Sequence, residues 1–173
     1  MNKPRFFTLS AMIVLAALSR VVPHPWNFAP VAAMALFAGA RFELKSQAFL
    51  VPLGALLLSD FILGFHVTMP FVYGAVCLTV LLGRRVGQKR NIGVLGLAPL
   101  SSSLLSFFIT NFGYWLMTPA FPKSLVGLVQ CYIVAIPFIQ NTLSGDLIYT
   151  ALFFGVFEWA ERAQPKLQLS AVS

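Results

Sequence analysis

Long apolar runs, separated by short clusters of basic residues, occupy most of this 173-residue chain. Hydrophobic residues make up 58% of it and charged residues only 10%, whereas a soluble domain carries about a quarter charged residues. Runs of this kind are typical of helices that cross a bilayer. We therefore predict an all-α integral membrane protein, whose spanning segments leave no room for a soluble catalytic domain.

Six of these runs predict a six-transmembrane-helix bundle that forms a single membrane domain over the whole chain. Proline cannot continue a helix, so Pro23 and Pro25 predict a non-helical segment, whereas Pro30 suits the first turn of the second helix. That helix is short, and Ala35 and Gly39 give it the small-residue spacing that favours close helix contact. The predicted helices are residues 6–22, 30–40, 47–65, 70–83, 92–117 and 144–160.

The distribution of basic residues predicts the topology of this domain. The formal net charge is +7, but the basic residues lie in short clusters between apolar runs, as in cytoplasmic loops, and this argues against a nucleic-acid partner. With six crossings and both termini cytoplasmic, ten basic residues lie inside and only Lys123 lies in an outer loop. Residues 119–142 then form an outer loop with a helical part. The predicted location is a bacterial inner (cytoplasmic) membrane.

An apolar stretch in the middle of the chain contains three ionisable or metal-ligating side chains, Asp60, His66 and Cys77. An ionisable side chain is costly in lipid, so its presence there indicates a functional site. Tyr73, Gly74 and Cys77 also fall at helical spacing. One helix face therefore offers a phenol, a gap without a side chain and a soft sulfur ligand.

The six-helix topology places further polar and aromatic side chains at the outer ends of the helices. Asn111, Tyr114 and Trp115, for example, share one face of the fifth helix by their i, i+3, i+4 spacing. The candidate binding residues on this side are Arg20, His24, Asp60, His66, Tyr73, Gly74, Asn111, Tyr114, Trp115 and Asp146. Together they predict a polar and aromatic cup that opens to the outside, with Cys77 near its floor.

Several of these residues also have purely structural explanations, which the sequence leaves open. Arg20 fits a structural ion pair with Asp60 or Asp146 as well as it fits a binding site. Asp146 also fits the cap of the sixth helix. Trp26 fits an interfacial anchor better than a ligand, and Cys131 fits a small buried hydrophobe.

Three segments of the chain resemble a known family: PHPWNFAPVAAMALFAGA, LLLSDFILGFH and MPFVYGAVC. With the six short helices, they resemble the BtuM type of solitary substrate-binding subunit, which is related to the S components of energy-coupling-factor vitamin transporters and is linked to cobalamin uptake. The resemblance covers nearly the whole chain. It implies a six-helix fold with one vitamin in an outward pocket, and a membrane cysteine that meets the corrin cobalt, here Cys77. The alanine-rich face that docks on an energising module is matched only loosely.

These observations predict a transport protein that binds cobalamin, with the lipid bilayer and a corrinoid as partners and no independent metal. A thiolate is a suitable axial ligand for cobalt. An energising ATPase module would have to come from other chains, because the sequence has no GxxxxGK[ST] loop. Thiolate-assisted removal of the upper cobalt ligand would be chemistry that accompanies binding.

Three other functions remain open from the residues. The same fold could bind another vitamin or a modified base, with Cys77 incidental. A small membrane enzyme could use Cys77 with His66 as a thiol–imidazole pair, although no third orienting group stands at a suitable spacing. A structural or assembly protein is the third, but a scaffold has no need for polar groups clustered on one side.

Overall fold

The described part of the chain, residues 2–23, 25, 27–89 and 92–168 of a computed structural model, is helical throughout apart from turns and short loops. Its elements are α1 (Lys3–Ser19), α2 (Val31–Arg41), α3 (Lys45–Leu63), α4 (Met69–Lys89), α5 (Ile92–Met117) and α6 (Leu125–Ala163), followed by a 3-10 turn at Pro165–Leu167. None of these described residues forms a β-strand, so the all-α prediction is confirmed.

The first five helices lie close to their predicted positions, and local chemistry explains the shifts at their ends. α1 begins before the predicted residue 6, because the Asn2 side chain accepts a hydrogen bond from the N–H of Arg5 and caps the helix. α4 continues past its predicted end at Gly83 to Lys89, because the arginines that follow are good helix formers. The prediction located the end of the apolar residues, whereas the helix itself continues into the basic residues that follow.

A single 39-residue helix, α6, replaces the outer loop predicted at 119–142 and the separate helix predicted at 144–160. That division is wrong. The connection after α5 covers only 118–124, and Ser124 caps α6 by accepting a hydrogen bond from the N–H of Gly127. A helix of this length extends over about 58 Å, roughly twice the hydrocarbon thickness of a bilayer.

The predicted division of α6 rested on the distribution of basic residues, and the small and polar residues near 141–146 that it placed between the two segments end no helix here. Gly145 is helical, and Phe28 fills the space beside it, 3.4 Å from the position that a Cβ would take. Pro137 also lies inside the helix. Asp146 therefore lies in a helix interior, and the alternative that it caps a helix start is wrong.

The short helix α2 lies at the centre of the bundle and contacts each of the five other helices. Its residues 32–39 are all buried. Glycines bring its backbone against α4: a Cβ on Gly39 would lie 2.2 Å from the carbonyl oxygen of Val80, and one on Gly87 would lie 2.5 Å from that of Ala40. The predicted close contact at Gly39 is confirmed, and the order of these contacts shows that α2 and α4 run parallel.

Gly83 should tolerate no side chain, because a Cβ there would lie 2.2 Å from the carbonyl oxygen of Leu36, which is helix backbone. We expect Gly83→Ala to separate α2 from α4 and to lower the free energy of unfolding by about 1–3 kcal/mol. Thermal melting in detergent would measure this. Gly54→Ala in α3 is the control, since no atom lies within 4 Å of the added Cβ. Equal melting of the two variants would contradict the close contact.

The two ends of the bundle carry different charged groups. At one end, Arg5 of α1 pairs with Glu161 of α6, and Arg41 of α2 pairs with Glu158 of α6 at 2.7 Å. The start of the first helix therefore contacts the last part of α6. We call this the Arg5 end. The opposite end, where α1 and α3 finish and α4 begins, is the Arg20 end.

Three of the described helical segments are long and apolar enough to cross a membrane: Lys45–Leu63, Met69–Gly87 and Leu125–Ala163. Large apolar side chains on their surfaces are exposed, for example Leu50 at 68% and Leu125 at 81%. Exposed apolar surface on this scale is rare in soluble monomers. It is typical of helices that face lipid.

Candidate functional site

The end of α1, the last turn of α3 and the start of α4 meet in one polar cluster. A guanidinium nitrogen of Arg20 lies 2.8 Å from Oδ1 of Asp60, and Tyr73 donates its hydroxyl hydrogen to Oδ2 at 2.9 Å. Arg20 also donates to Oγ of Ser59. Asp60 is only 2% exposed, so a buried carboxylate has a partner on each oxygen. We call these four residues the Arg20 cluster.

A glycine ends α3 directly after this cluster and turns the chain towards α4. Gly64 has φ of 95°, in the left-handed region that favours glycine, and its N–H donates to the carbonyl oxygen of Asp60 at 2.8 Å. His66 follows in the 64–68 loop. It is exposed, and its Nδ1 lies 2.8 Å from Oγ1 of Thr68. The structure thus places His66 on the loop surface, outside the Arg20 cluster.

Cys77 lies on α4 one turn beyond Tyr73, in the direction of the Arg5 end. Its thiol is free and its side chain is half-buried. No atom lies within 4 Å of the position that a Cβ on Gly74 would take. Gly74 shares its helix face with Leu78 and Leu81, which are exposed, so this open space lies on the outer surface of α4. This part of α4 therefore combines a phenol anchored on Asp60 with a half-buried thiol.

Among the described residues, the central helix α2 does not extend to the Arg20 end of the bundle, because it begins at Val31, further inside. A Cβ on Gly39 would lie 3.0 Å from Cα of Gly83, and Ala33 and Cys77 each stand six residues before one of these glycines. Since α2 and α4 run parallel, the first turn of α2 lies about as deep as Cys77. The Arg20 cluster lies further out. We call the region between the Arg20 cluster and the level of Cys77 and the first turn of α2 the recess.

Aromatic rings connect α4 and α5 at the same end of the bundle. Phe71 occupies the space left by Gly113, whose added Cβ would lie 2.2 Å from the ring. The ring centroids of Phe71 and Phe112 are 6.0 Å apart, and those of Phe112 and Trp115 are 5.6 Å apart. These rings supply flat apolar surface at the Arg20 end.

The predicted α5 residues lie at this end, but they use their polar groups locally. The side-chain N–H of Asn111 donates to the carbonyl oxygen of Phe107 at 2.8 Å, and the indole N–H of Trp115 donates to that of Pro122 at 2.9 Å. Tyr114 is 44% exposed. Their shared location agrees with the helical spacing, but no hydrogen bond among the described residues joins them to the Arg20 cluster.

Asp146 is buried elsewhere, between α2, α5 and α6. It is 1% exposed, its Oδ2 lies 2.5 Å from Oγ of Ser103, and the backbone N–H of Ala33 in the first turn of α2 also hydrogen-bonds its carboxylate. Pro30, the N-cap residue of α2, makes no side-chain hydrogen bond to that turn. Arg20 pairs with Asp60, so the alternative pairing of Arg20 with Asp146 is wrong.

His24 and Trp26 lie outside the described residues, so the roles suggested for them stay predictions. Cys131 is 2% exposed, and its Sγ lies 3.6 Å from the carbonyl oxygen of Asn111, which agrees with a small buried residue. Across the described ranges, no group of three His, Cys, Asp or Glu side chains could hold a metal ion.

Two members of these polar groups were not predicted, Ser59 and Ser103, and both are fully buried. Serine hydroxyls in helices ordinarily bond to their own backbone, as Ser59 does to the carbonyl oxygen of Leu56 at 2.8 Å. For that reason they carry little signal. The available clue was position, since Ser59 stands directly before Asp60 and Ser103 ends a run of three serines.

Comparison with known proteins identifies a family but no activity. The model of a family of unknown function (DUF6580) matches residues 1–167, nearly the whole chain. No curated protein and no solved structure matches the sequence. The function must therefore be inferred from the Arg20 cluster, the recess and Asp146.

Proposed function

This chain belongs to the DUF6580 family, and from the geometry of its Arg20 end we propose that it is a membrane transport protein that binds cobalamin in the recess. The observation that carries the proposal is the position of a free thiol below a polar cluster along α4. Cys77 lies at the depth of the first turn of α2, and the Arg20 cluster lies further out. A wide planar ligand with a metal at its centre requires a soft ligand below it and polar groups at its edge.

Cys77 is the proposed axial ligand of the cobalt. A thiolate is a soft donor that suits cobalt, and coordination would deprotonate the thiol. The edge of a corrin carries neutral amide groups, and the Arg20 cluster offers both donors and acceptors for them. Because Arg20 and Asp60 neutralise each other, they can meet such groups without leaving a net charge buried. Phe112 and Trp115 supply apolar surface for the macrocycle.

We further propose six membrane crossings in a bacterial inner membrane, with the Arg5 end in the cytoplasm and the recess open to the outside. The contact between the start of α1 and the end of α6 supports this, since it brings both terminal segments to one end. The excess of basic residues at that end agrees with the positive-inside rule. Of the basic residues, Arg20 and Lys123 belong to the opposite end.

Labelling from outside would test this orientation. In a variant with Cys77 and Cys131 replaced by serine, Ala120→Cys should react with a membrane-impermeant thiol reagent in intact cells, because the exposed 118–124 turn faces outwards. Lys45→Cys, also exposed but at the Arg5 end, should react only after the membrane is opened. The reverse labelling pattern would contradict the topology.

Absorption spectroscopy tests the binding function directly. Purified protein in detergent, titrated with cobalamin, should bind one equivalent and change the visible spectrum of the corrinoid. Competition with other vitamins and with modified bases tests the alternative ligands of the same fold. A protein that leaves the corrinoid spectrum unchanged, and does not retain the corrinoid on gel filtration, would refute the proposal.

A thiol enzyme that pairs Cys77 with His66 is not favoured by the geometry. His66 lies exposed in the 64–68 loop, with Nδ1 engaged by Thr68. Cys77 is eight residues into α4, about 12 Å along the helix from its start. The imidazole would have to leave its loop position and enter the bundle before it could take the thiol proton.

A further inference from the structure

We propose that Asp146 is a proton-binding site inside the bundle and links proton movement to solute binding in the recess. The link to a solute rests on the proposed transport function, whereas the proton site depends only on Asp146 and its contacts. Two carboxylates are buried in the bundle core, Asp60 at 2% and Asp146 at 1% exposure. Asp60 has the Arg20 guanidinium beside it, so its negative charge is balanced.

The partners of Asp146 are neutral, and this separates it from Asp60. They are the hydroxyl of Ser103 and the backbone N–H of Ala33, and no salt bridge among the described residues involves Asp146. An ionised carboxylate without a cation is costly in an apolar interior, although the positive end of a helix dipole offsets part of that cost. Asp146 is therefore the buried carboxylate for which both charge states are accessible.

Ser103 can complete the hydrogen bonds of either charge state. Its Oγ lies 2.5 Å from Oδ2 of Asp146 and 2.9 Å from the carbonyl oxygen of Pro99, but a hydroxyl has only one hydrogen to donate. When Asp146 is ionised, Ser103 donates to Oδ2. When Oδ2 gains a proton, it donates to Oγ, and Ser103 turns its own hydrogen to Pro99. One proton is bound, the carboxylate charge becomes zero, and no buried donor is left without an acceptor.

Among the described residues, no charged or titratable group of the neighbouring elements takes the place of Ser103 as the side-chain partner of Asp146. On α6 itself, Tyr149 stands nearly one turn from Asp146 and packs against an aromatic ring of the segment before α2. α2 and the 3-10 turn contribute Arg41 and Lys166, both at the Arg5 end. α5 contributes Tyr114 near the Arg20 end. His24, in the segment before α2, lies outside the described residues.

The first turn of α2 is the physical connection between the two sites. Its Ala33 amide hydrogen-bonds Asp146, and the same turn forms the base of the recess. A proton on Asp146 removes negative charge from the start of α2, so it changes the electrostatic potential at the base where the solute binds. Linkage is reciprocal, so solute binding must also change proton affinity. A proton gradient could then drive uptake by a chain that has no nucleotide-binding loop of its own.

Infrared spectroscopy of the purified protein during a pH titration tests the proton site without any ligand. We expect the C=O stretching band of a protonated carboxyl group, which disappears as the pH rises and is missing in Asp146→Asn. Asp60→Asn should leave this band in place. A band that is absent, that does not respond to pH while the protein stays folded, or that survives in Asp146→Asn would overturn the proposal.

A second variant and a pH titration in the presence of cobalamin complete the test. Ser103→Ala retains the carboxyl group but removes its hydrogen-bond partner, so the band should shift in frequency even if Asp146→Asn fails to fold. A band with unchanged frequency in Ser103→Ala would count against the proposed contact. Cobalamin should change the pH at which the band is lost. If cobalamin binds without that change, the linkage is refuted, whereas no binding refutes the transport function and leaves the ligand-free titration to decide the proton site.

Discussion

Asp60→Asn is expected to lower the free energy of unfolding by about 3–5 kcal/mol, because it leaves the Arg20 guanidinium largely buried without a counter-ion. The carboxylate now accepts from Arg20 at 2.8 Å and from Tyr73 at 2.9 Å. An amide oxygen can still accept from Tyr73, but it cannot balance the charge. Arg20→Ala should be similarly costly, since it leaves Asp60 as the uncompensated charge. Denaturant titration in detergent would measure both losses.

The double variant and an exposed ion pair provide the controls. If Arg20 and Asp60 act as a pair, Arg20→Ala with Asp60→Asn should be no less stable than the worse single variant. Glu158→Gln breaks a bridge of similar length, 2.7 Å, but the Glu158 side chain is 47% exposed, so the loss should be only about 0–1 kcal/mol. Strictly additive losses at Arg20 and Asp60 would show that the two do not interact. An equal loss at Glu158 would show that burial is not the cause.

The sequence predicts that Arg20 pairs with one of two carboxylates, Asp60 or Asp146, because lipid makes an unpaired charge so costly. Few cations are available at that end, and an Asp inside an apolar run has few possible partners. The sequence alone does not decide between Asp60 and Asp146 as the partner of Arg20, because a six-helix topology places both carboxylates near the outer ends of helices. The choice depends on which helices are neighbours, and α1 packs against α3, the helix that carries Asp60.

The helices were predictable from apolar runs, but the continuity of α6 was not. Polar residues near 141–146 resemble a loop in a hydropathy profile, whereas a helix is interrupted only when its backbone hydrogen bonds are. The sequence does not show that Gly145 makes room for the Phe28 side chain, because a glycine at this position also fits a turn. The partner of Asp146 was hidden for a related reason, since Ser103 is one of three consecutive serines and its depth depends on the register of α5 against α6.

The α5 residues show the limit of spacing arguments. The i, i+3, i+4 pattern places Asn111, Tyr114 and Trp115 on one face and at one end, and the structure agrees with that placement. The pattern does not predict which acceptor each polar side chain donates its hydrogen bond to. Trp115 donates to Pro122 in the turn before α6. The sequence predicted a much longer loop at 119–142, so this short turn was not recognised. A shared face is thus necessary for a common site but does not establish one.

Cys77→Ser is expected to abolish the thiolate-to-cobalt absorption features of the bound corrinoid, because a hydroxyl is a harder and far less acidic ligand. Corrinoid affinity should fall by more than the ~10–100-fold typical for the loss of an outer-shell partner, since a ligand of the metal itself is removed. Protein yield and helicity should hardly change. Cys77 is only half-buried, and serine is nearly isosteric.

Cys131→Ser is the matched control for this variant. Cys131 lies in an apolar helix as well, and it is the more deeply buried of the two, so a loss caused by packing alone should be larger there. Its Sγ faces the carbonyl oxygen of Asn111, which a serine hydroxyl can also reach. The spectrum of Cys131→Ser should therefore match that of the parent protein. An unchanged spectrum in Cys77→Ser would refute the axial-ligand assignment, and its loss in Cys131→Ser alone would move the cobalt site to the first part of α6. A spectrum with an imidazole ligand would instead direct the search to His66 and His24.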